Sequence, residues 1–139
     1  MHNIEIHEIM CEHPIKVKES VSIGNVAHLL FRYQINGILV VDDDNDKRLV
    51  GVFTTTDLLN LMAKAVSEGK HRIDELQDIS QKPVGEYSSH NVTSLQKTDK
   101  IVKAIATMHR KKVHTIPIFD GDELVGVLGR HDVLNIALS

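Results

Sequence analysis

Residues 51–57 read GVFTTTD, and residues 126–132 read GVLGRHD. In both stretches a glycine stands six positions before an aspartate, and two apolar residues follow the glycine. The longer block 49–60 matches 124–135 at seven of twelve positions. Such agreement inside a chain of 139 residues indicates an internal repeat, which has to be recognised before the fold is predicted.

The repeat extends upstream of this block. A shift of 78 positions places residues 6–42 over residues 84–120. In each copy, apolar residues recur at the i, i+3, i+4 and i+7 spacing of one helix face. These residues are Ile23, Val26, Ala27 and Leu30 in the first copy and Ile101, Ala104, Ile105 and Met108 in the second. We expect Ser20 and Thr98 to be the N-caps of the two helices.

Two short runs of β-forming residues follow in each copy, with an acidic turn between them. The runs are 38–41 and 49–53 in the first copy, and 116–119 and 124–128 in the second. Two such runs around a turn predict a β-hairpin. The hairpins are therefore expected to form the sheets of the molecule.

A helix should follow each hairpin, from Thr55 to about Val66 and from Arg130 to about Leu138. With a short extended segment in front of each copy, the sequence predicts an α/β (α+β) fold of two β-α-β-β-α repeats. The first repeat is expected at 1–66, a linker at 67–83 and the second repeat at 84–139. Within the linker, the spacing of Ile73, Leu76 and Ile79 predicts a short helix. A unit of about 50 residues buries little surface by itself, so the repeats should pack face to face about a pseudo-two-fold axis.

Composition and charge exclude several classes of protein. The apolar fraction of 42% and charged fraction of 25% are ordinary for a globular chain. A net charge of −3 without clustered Lys and Arg argues against nucleic acid or an anionic membrane as partner. No apolar run approaches the roughly 18 residues of a membrane span, and no signal peptide is evident. Cys11 is the only cysteine, so we expect a cytoplasmic protein without an intrachain disulfide.

Metal sites and catalytic motifs are not indicated. None of the nine histidines has the spacing of a zinc site. Asp42, Asp44 and Asp46 alternate as in a calcium loop, but Lys47 and Phe53 occupy the positions of its glycine and last glutamate. Phosphate-binding loops and nucleophile–base sets are also missing from the sequence. We expect no metal, no required cofactor and no enzymatic activity.

The segment from Gly51 to Asp57 ends a predicted strand and begins a predicted helix. Helix N-termini present unsatisfied N–H groups and the positive end of the helix dipole. The Asp57 carboxylate, with the Thr54 hydroxyl beside it, suits a vicinal diol such as ribose. The alternative is purely structural: Thr54 caps the helix, and Asp57 completes a capping box.

The chain resembles a tandem pair of cystathionine-β-synthase (CBS) domains, from about Ile6 to about Leu138. The ribose motif of that family is glycine, two apolar residues, Thr or Ser, two free positions and Asp, and residues 51–57 match it in full. The run 113–118, VHTIPI, also resembles the pattern that precedes a strand in the family. The resemblance implies two clefts, each with a ribose corner from one repeat and a base-binding wall from the other.

Carried over residue by residue, the resemblance implies two ligand sites. Site A consists of Val52, Thr54, Thr56, Asp57, Val92, Thr93, His114 and Thr115. Site B consists of Val127, Gly129, His131, Asp132, Ile15, Ile35, Asn36 and Gly37. In site A, Asp57 would bind the ribose hydroxyls, Val92 the base and His114 a phosphate. Site B should be weaker because Gly129 has no hydroxyl, unless the turn itself requires the glycine.

The resemblance further implies a stand-alone regulatory module that binds an adenosine-containing ligand: AMP, ADP, ATP, S-adenosylmethionine or an NAD-like molecule. A ligand-free scaffold for protein interactions is the alternative. The helices after the two corners carry more apolar residues than one core face needs, namely Leu58, Leu59, Met62, Ala63, Val66, Val133, Leu134, Ile136, Ala137 and Leu138. They are either buried within the monomer or form a homodimer, through which the module would signal.

Overall fold

The computed structural model describes residues 3–67 and 73–138. The first repeat contains β1 (Lys16–Lys18), α1 (Ile23–Arg32), β2 (Gly37–Val41), β3 (Leu49–Thr54) and α2 (Thr55–Ser67). Helix α3 (Ile73–Ser80) follows. The second repeat contains β4 (Leu95–Gln96), α4 (Ile101–Lys111), β5 (Thr115–Asp120), β6 (Glu123–Gly129) and α5 (Arg130–Leu138). The predicted α/β fold with two β-α-β-β-α repeats is confirmed, and α3 is the helix predicted in the linker.

Each repeat forms its own three-stranded mixed sheet. The strand orders are β1-β2-β3 and β4-β5-β6, with the first pair of each sheet parallel and the second antiparallel. The central strands β2 and β5 read GILVV and TIPIFD, and both are mostly buried. Such continuous apolar runs are expected of strands that are covered on both faces.

The predicted N-caps are wrong by two residues in both repeats. Helix α1 is capped by Ser22, whose hydroxyl accepts a hydrogen bond from the backbone N–H of Asn25 at 3.2 Å. The backbone N–H of Ser20 is bonded to the carboxylate of Asp43 instead. In α4 the N-cap is Lys100, which makes no side-chain capping bond, rather than Thr98. Serine or threonine near a helix start does not fix the cap position, because the last extended residue decides it.

Residue contacts divide the chain differently from the linear order of the repeats. One unit, the first-repeat unit, is Ile15–Val92. The other, the second-repeat unit, combines the chain up to Pro14 with the chain from Thr93 onward. The segment in front of each repeat therefore packs on the other repeat. We call these segments the first strap (residues 4–11) and the second strap (residues 83–90).

Both straps contribute to a hydrophobic core. Ile6 of the first strap and Val84 of the second strap are both 0% exposed. The core of the first-repeat unit consists of Val17, Ile23, Val26, Leu30, Ile38, Val40, Phe53 and Val84. The core of the second-repeat unit consists of Ile6, Leu95, Ile101, Ala104, Met108, Ile116, Ile118, Leu128 and Val133. Each strap is therefore an integral part of the unit on which it lies.

Candidate functional site

The corner between β3 and α2 is held by reciprocal hydrogen bonds between Thr54 and Asp57. Oδ2 of Asp57 accepts from the backbone N–H of Thr54 at 2.8 Å and from its hydroxyl at 3.0 Å. The hydroxyl oxygen of Thr54 accepts in turn from the backbone N–H of Asp57 at 3.1 Å. This is a complete capping box, so the structural role considered for these residues is present.

Capping leaves part of the Asp57 carboxylate unused. All of its hydrogen bonds in the described part of the chain go to Oδ2, and Oδ1 has no partner there. The side chain is half-buried. The bonds from Thr54 fix the orientation of the carboxylate, and Oδ1 remains as an acceptor for an external hydroxyl. Capping and ligand binding are therefore compatible at this corner.

The corner between β6 and α5 is a reduced version of the first. The backbone N–H of Gly129 donates to Oδ2 of Asp132 at 2.9 Å, as Thr54 does to Asp57. The hydroxyl bonds are missing because Gly129 has no side chain. Its φ is not positive, and a Cβ atom there would meet only Oδ2 of Asp132, at 3.3 Å. The turn itself therefore does not require glycine at this position.

Each corner lies beside the start of the preceding strand of its own repeat. Gly37 pairs with Thr54 in the sheet, and the N–H of Thr55 donates to the carbonyl of Asn36 at 2.9 Å. In the second repeat, Thr115 pairs with Gly129, and the N–H of Arg130 donates to the carbonyl of His114 at 2.8 Å. The family resemblance assigns these neighbours to opposite sites. The hairpin register, in which the start of one strand meets the end of the next, could have predicted the contacts.

The remaining site residues have varied surroundings. Ile35 packs against the core of the first-repeat unit, and Ile15 is 39% exposed. Thr56 and His131 are exposed on the first turns of α2 and α5. Val92, Thr93, Val52 and Val127 are half-buried. The assignment of these residues and of the strand starts to two shared sites stays a prediction.

The glycine of the motif has a structural cause that the sequence analysis missed. Val52 and Ser89 exchange two backbone hydrogen bonds, at 3.0 and 2.8 Å, so the second strap crosses β3 next to Gly51. A Cβ atom on Gly51 would lie 2.5 Å from the carbonyl oxygen of Ser89. Real Cβ atoms do not approach so closely, and only glycine fits beneath the strap.

The second copy repeats this arrangement. Cys11 and Val127 exchange two backbone hydrogen bonds of 2.9 Å each, so the first strap pairs with β6 in an antiparallel direction. A Cβ atom on Gly126 would lie 2.7 Å from the carbonyl oxygen of Cys11. The two glycines of the repeated motif therefore accommodate the straps, while Thr54, Asp57 and Asp132 form the corners.

Apolar side chains on the helices after the corners are only partly used within the monomer. Leu58 and Leu61 of α2 pack against the core, and so does Ile136 of α5, next to the buried Val133. The residues that stay exposed are Leu59, Met62, Ala63, Val66, Leu134, Ala137 and Leu138. Leu59 is 64% exposed and Leu138 is 84% exposed. Within residues 3–67 and 73–138, this second group is thus not buried as the first of the two alternatives expected.

The described residues contain neither a metal-binding cluster nor a membrane-spanning helix. Within residues 3–67 and 73–138, no three His, Cys, Asp or Glu side chains are grouped so that they could hold a metal ion. In the same ranges every helix is too short or too polar to cross a bilayer.

The chain was compared with known proteins. A homoserine O-acetyltransferase of Methanohalobium evestigatum is 26% identical over 129 residues, which cover 92% of this chain but 23% of that enzyme. The chain thus corresponds to less than a quarter of its relative, and the activity of the whole enzyme does not transfer.

Solved structures establish the fold. CBSX2, determined in complex with AMP, is 24% identical with a TM-score of 0.78, over 96% of each chain. The CBS domain pair of protein MJ0100, in complex with 5′-methylthioadenosine and S-adenosylmethionine, is 22% identical with a TM-score of 0.71, over 96% of this chain and 95% of that one. The family model of the CBS domain matches residues 6–64 and 84–139. The chain therefore belongs to the CBS domain family and contains two CBS domains in tandem.

Proposed function

We propose that this pair of CBS domains is a non-catalytic regulatory module, and that it binds an adenosine-containing ligand with Asp57 at its ribose. The observation that carries the proposal is the free Oδ1 of Asp57 on a carboxylate whose other oxygen is fixed by Thr54. A carboxylate held in this way is preorganised, so little conformational entropy is lost when a diol binds. The match of residues 51–57 to the ribose motif supports the same assignment.

The ligands of the two structural relatives share one chemical part. AMP, 5′-methylthioadenosine and S-adenosylmethionine differ in charge and in the group on the 5′ carbon, but all three contain adenine and a ribose with free 2′ and 3′ hydroxyls. A site for this common part needs an acceptor for the diol and no fixed charge for the 5′ group. The corner at Thr54 and Asp57 meets the first requirement.

The second corner should bind the same class of ligand more weakly. It lacks the hydroxyl that Thr54 provides, and one hydrogen bond contributes about 0.5–1.5 kcal/mol, or roughly a factor of 2 to 13 in affinity. We further propose that the other residues named for sites A and B line these two ligands, with Val92 at the base and His114 at a 5′ phosphate.

The test is isothermal titration calorimetry with AMP, ADP, ATP, S-adenosylmethionine and NAD, on the wild type and on Asp57→Asn. The amide oxygen of asparagine can still accept both bonds from Thr54, but its NH₂ group then replaces the free acceptor Oδ1. We expect at least a tenfold loss of affinity with little change in melting temperature, and a smaller loss for the matched variant Asp132→Asn.

Equal affinity in Asp57→Asn and the wild type would refute the role of Asp57. A melting-temperature screen tests the wider proposal, because a ligand at about a hundred times its Kd stabilises the protein by about 2.7 kcal/mol. If none of these compounds shifts the melting temperature, the alternative function, a ligand-free interaction scaffold, is favoured.

A signal requires a surface that responds to the ligand. We propose that two copies associate through the exposed apolar residues of α2 and α5, and that this homodimer or a protein partner reads the bound state. The support is the exposure of Leu59, Met62 and Val66 at the spacing of one helix face.

A further inference from the structure

The first strap is bound to the second repeat by backbone hydrogen bonds as well as by apolar side chains. The N–H groups of Ile6 and His7 donate to the carbonyls of Asp99 and Lys97 at 2.9 and 3.0 Å. The N–H of Ile101 donates to the carbonyl of Ile4 at 2.9 Å. Together with the pair between Cys11 and Val127, five backbone hydrogen bonds hold this segment.

Side chains add to the attachment. Ile6 is fully buried in the core of the second-repeat unit. The ammonium group of Lys100 lies 3.4 Å from the carboxylate of Glu5 at the surface. The strap therefore fills a defined place: one apolar slot, a row of backbone partners and a segment of the β6 edge. Extended segments are recognised by sheet edges in this way, with main-chain bonds for affinity and a pocket for specificity.

The chain that follows the strap is a hinge without internal support. Glu12, His13 and Pro14 make no hydrogen bond in the described part of the chain. Glu12 and His13 are exposed. After the hinge, β1 begins at Lys16 in the other contact unit. No hydrogen bond of the hinge within the described residues therefore ties the strap to the second repeat of its own chain.

We propose that the strap is exchangeable between two copies of this chain, so that residues 4–11 of one copy occupy the strap site on the second-repeat unit of the other. A reciprocal exchange retains all five backbone hydrogen bonds and the burial of Ile6 in both copies. The closed monomer and the exchanged dimer then differ in hinge conformation and in the entropy of association. A short link gives the strap an effective concentration on the order of millimolar, so exchange should appear after unfolding and refolding near that concentration.

The single native cysteine makes a specific test possible. Cys11 faces Val127 in a hydrogen-bonded antiparallel pair, where Cα atoms are about 5.5 Å apart, a separation that a disulfide can span. Wild-type chain, which carries only Cys11, is mixed with the double variant Cys11→Ser/Val127→Cys. The mixture is unfolded in reducing denaturant, refolded at total concentrations from about 10 μM to about 1 mM and oxidised with oxidised glutathione.

We expect a disulfide-linked heterodimer on a non-reducing gel, at least tenfold more abundant at the highest concentration than at the lowest. The matched control replaces Val127→Cys by Val125→Cys, which is on the same strand but two residues out of register with Cys11. That mixture should give only the background of random collisions. The variant Val127→Cys alone should form an intrachain disulfide, which verifies that the pair can be cross-linked.

The proposal is overturned if the intrachain disulfide forms but the mixture never exceeds the Val125→Cys control. Association through α2 and α5 cannot produce the same result, because it leaves Cys11 and position 127 of different chains unpaired. Repeating the experiment in a Leu59→Glu/Met62→Glu background separates the two kinds of dimer: the heterodimer should persist there, and its loss would also count against exchange.

Discussion

Gly51 packs against the backbone of Ser89, and a Cβ atom on Gly51 would be 2.5 Å from the Ser89 carbonyl oxygen. The glycine of the repeated motif is thereby linked to a segment that is almost forty positions away in the sequence. We expect Gly51→Ala to destabilise the protein by about 2–3 kcal/mol, because the strap would have to move and its hydrogen bonds with Val52 would weaken.

Urea denaturation measures this effect. Gly129→Ala is the matched control, since a Cβ atom at Gly129 meets only the end of a side chain, at 3.3 Å, and its φ is not positive. The control should cost less than about 1 kcal/mol, clearly less than the loss expected for Gly51→Ala. Equal losses in the two variants would show that the strap does not determine the need for glycine at position 51.

The second corner can be completed by one substitution. Gly129→Ser places a hydroxyl at the N-cap of α5, where it can accept from the backbone N–H of Asp132. The free energy of unfolding should rise by about 0.5–1 kcal/mol, since serine also has less conformational freedom than glycine in the unfolded chain. Thermal unfolding measures the gain, and Gly129→Ala, which adds a Cβ atom but no hydroxyl, is the control that isolates the effect of the hydroxyl.

Lys112 ends α4 in the left-handed conformation, with φ of 58° and ψ of 39°. For a residue with a Cβ atom, this conformation raises the free energy by roughly 1–2 kcal/mol, whereas for glycine it does not. Lys112→Gly should therefore stabilise the protein by about 0.5–1 kcal/mol after the entropy of glycine in the unfolded chain is subtracted. Lys111→Gly, one position earlier and inside the helix, should destabilise it by about 1 kcal/mol. Changes of the same sign in both variants would contradict the assigned conformation.

Ile6 is far from the second repeat in sequence but is fully buried in its core. We expect Ile6→Ala to cost about 2–5 kcal/mol, as for other large-to-small changes in a packed core. Hydrogen exchange should show faster exchange at the amides of α4, which packs on the same cluster. Ile15→Ala, at a position that is 39% exposed, should cost less, at most about 2 kcal/mol.

The proposed homodimer is tested by Leu59→Glu combined with Met62→Glu. Both side chains are exposed in the monomer, so the charges should leave folding intact but disfavour burial between copies. Light scattering at micromolar concentration should give a dimeric mass for the wild type and a monomeric mass for the variant. The control Asn60→Glu adds a charge at an exposed polar position of the same helix and should remain dimeric. A monomeric wild type would contradict the proposal.

Much of the fold could be predicted because the decisive signals are local. Ile23, Val26 and Leu30 form one apolar helix face, and all three are buried on α1 as expected. The hairpins and the corner at Thr54 were predictable for the same reason, since each is encoded within a few residues. The helix caps were misplaced because α1 has two serines near its start and α4 is preceded by a lysine that makes no side-chain capping bond.

The straps could not be predicted from such signals. Each contributes one fully buried residue, Ile6 or Val84, and a single apolar residue has no periodicity. Sequence spacing also does not say on which repeat an extended segment lies. The contact between Asn36 and Thr55 differs in this respect, because the register of the β2–β3 hairpin implies it.

The interleaved course of the chain also constrains the order of events during biosynthesis. The first strap is synthesised more than a hundred residues before β6, the edge strand it pairs with, is completed at Gly129. At a synthesis rate of about 5–20 residues per second, several seconds pass before the core that buries Ile6 can form. The second-repeat unit can therefore reach its native packing only after β6 has been made, although it includes a segment that is synthesised before the whole first-repeat unit.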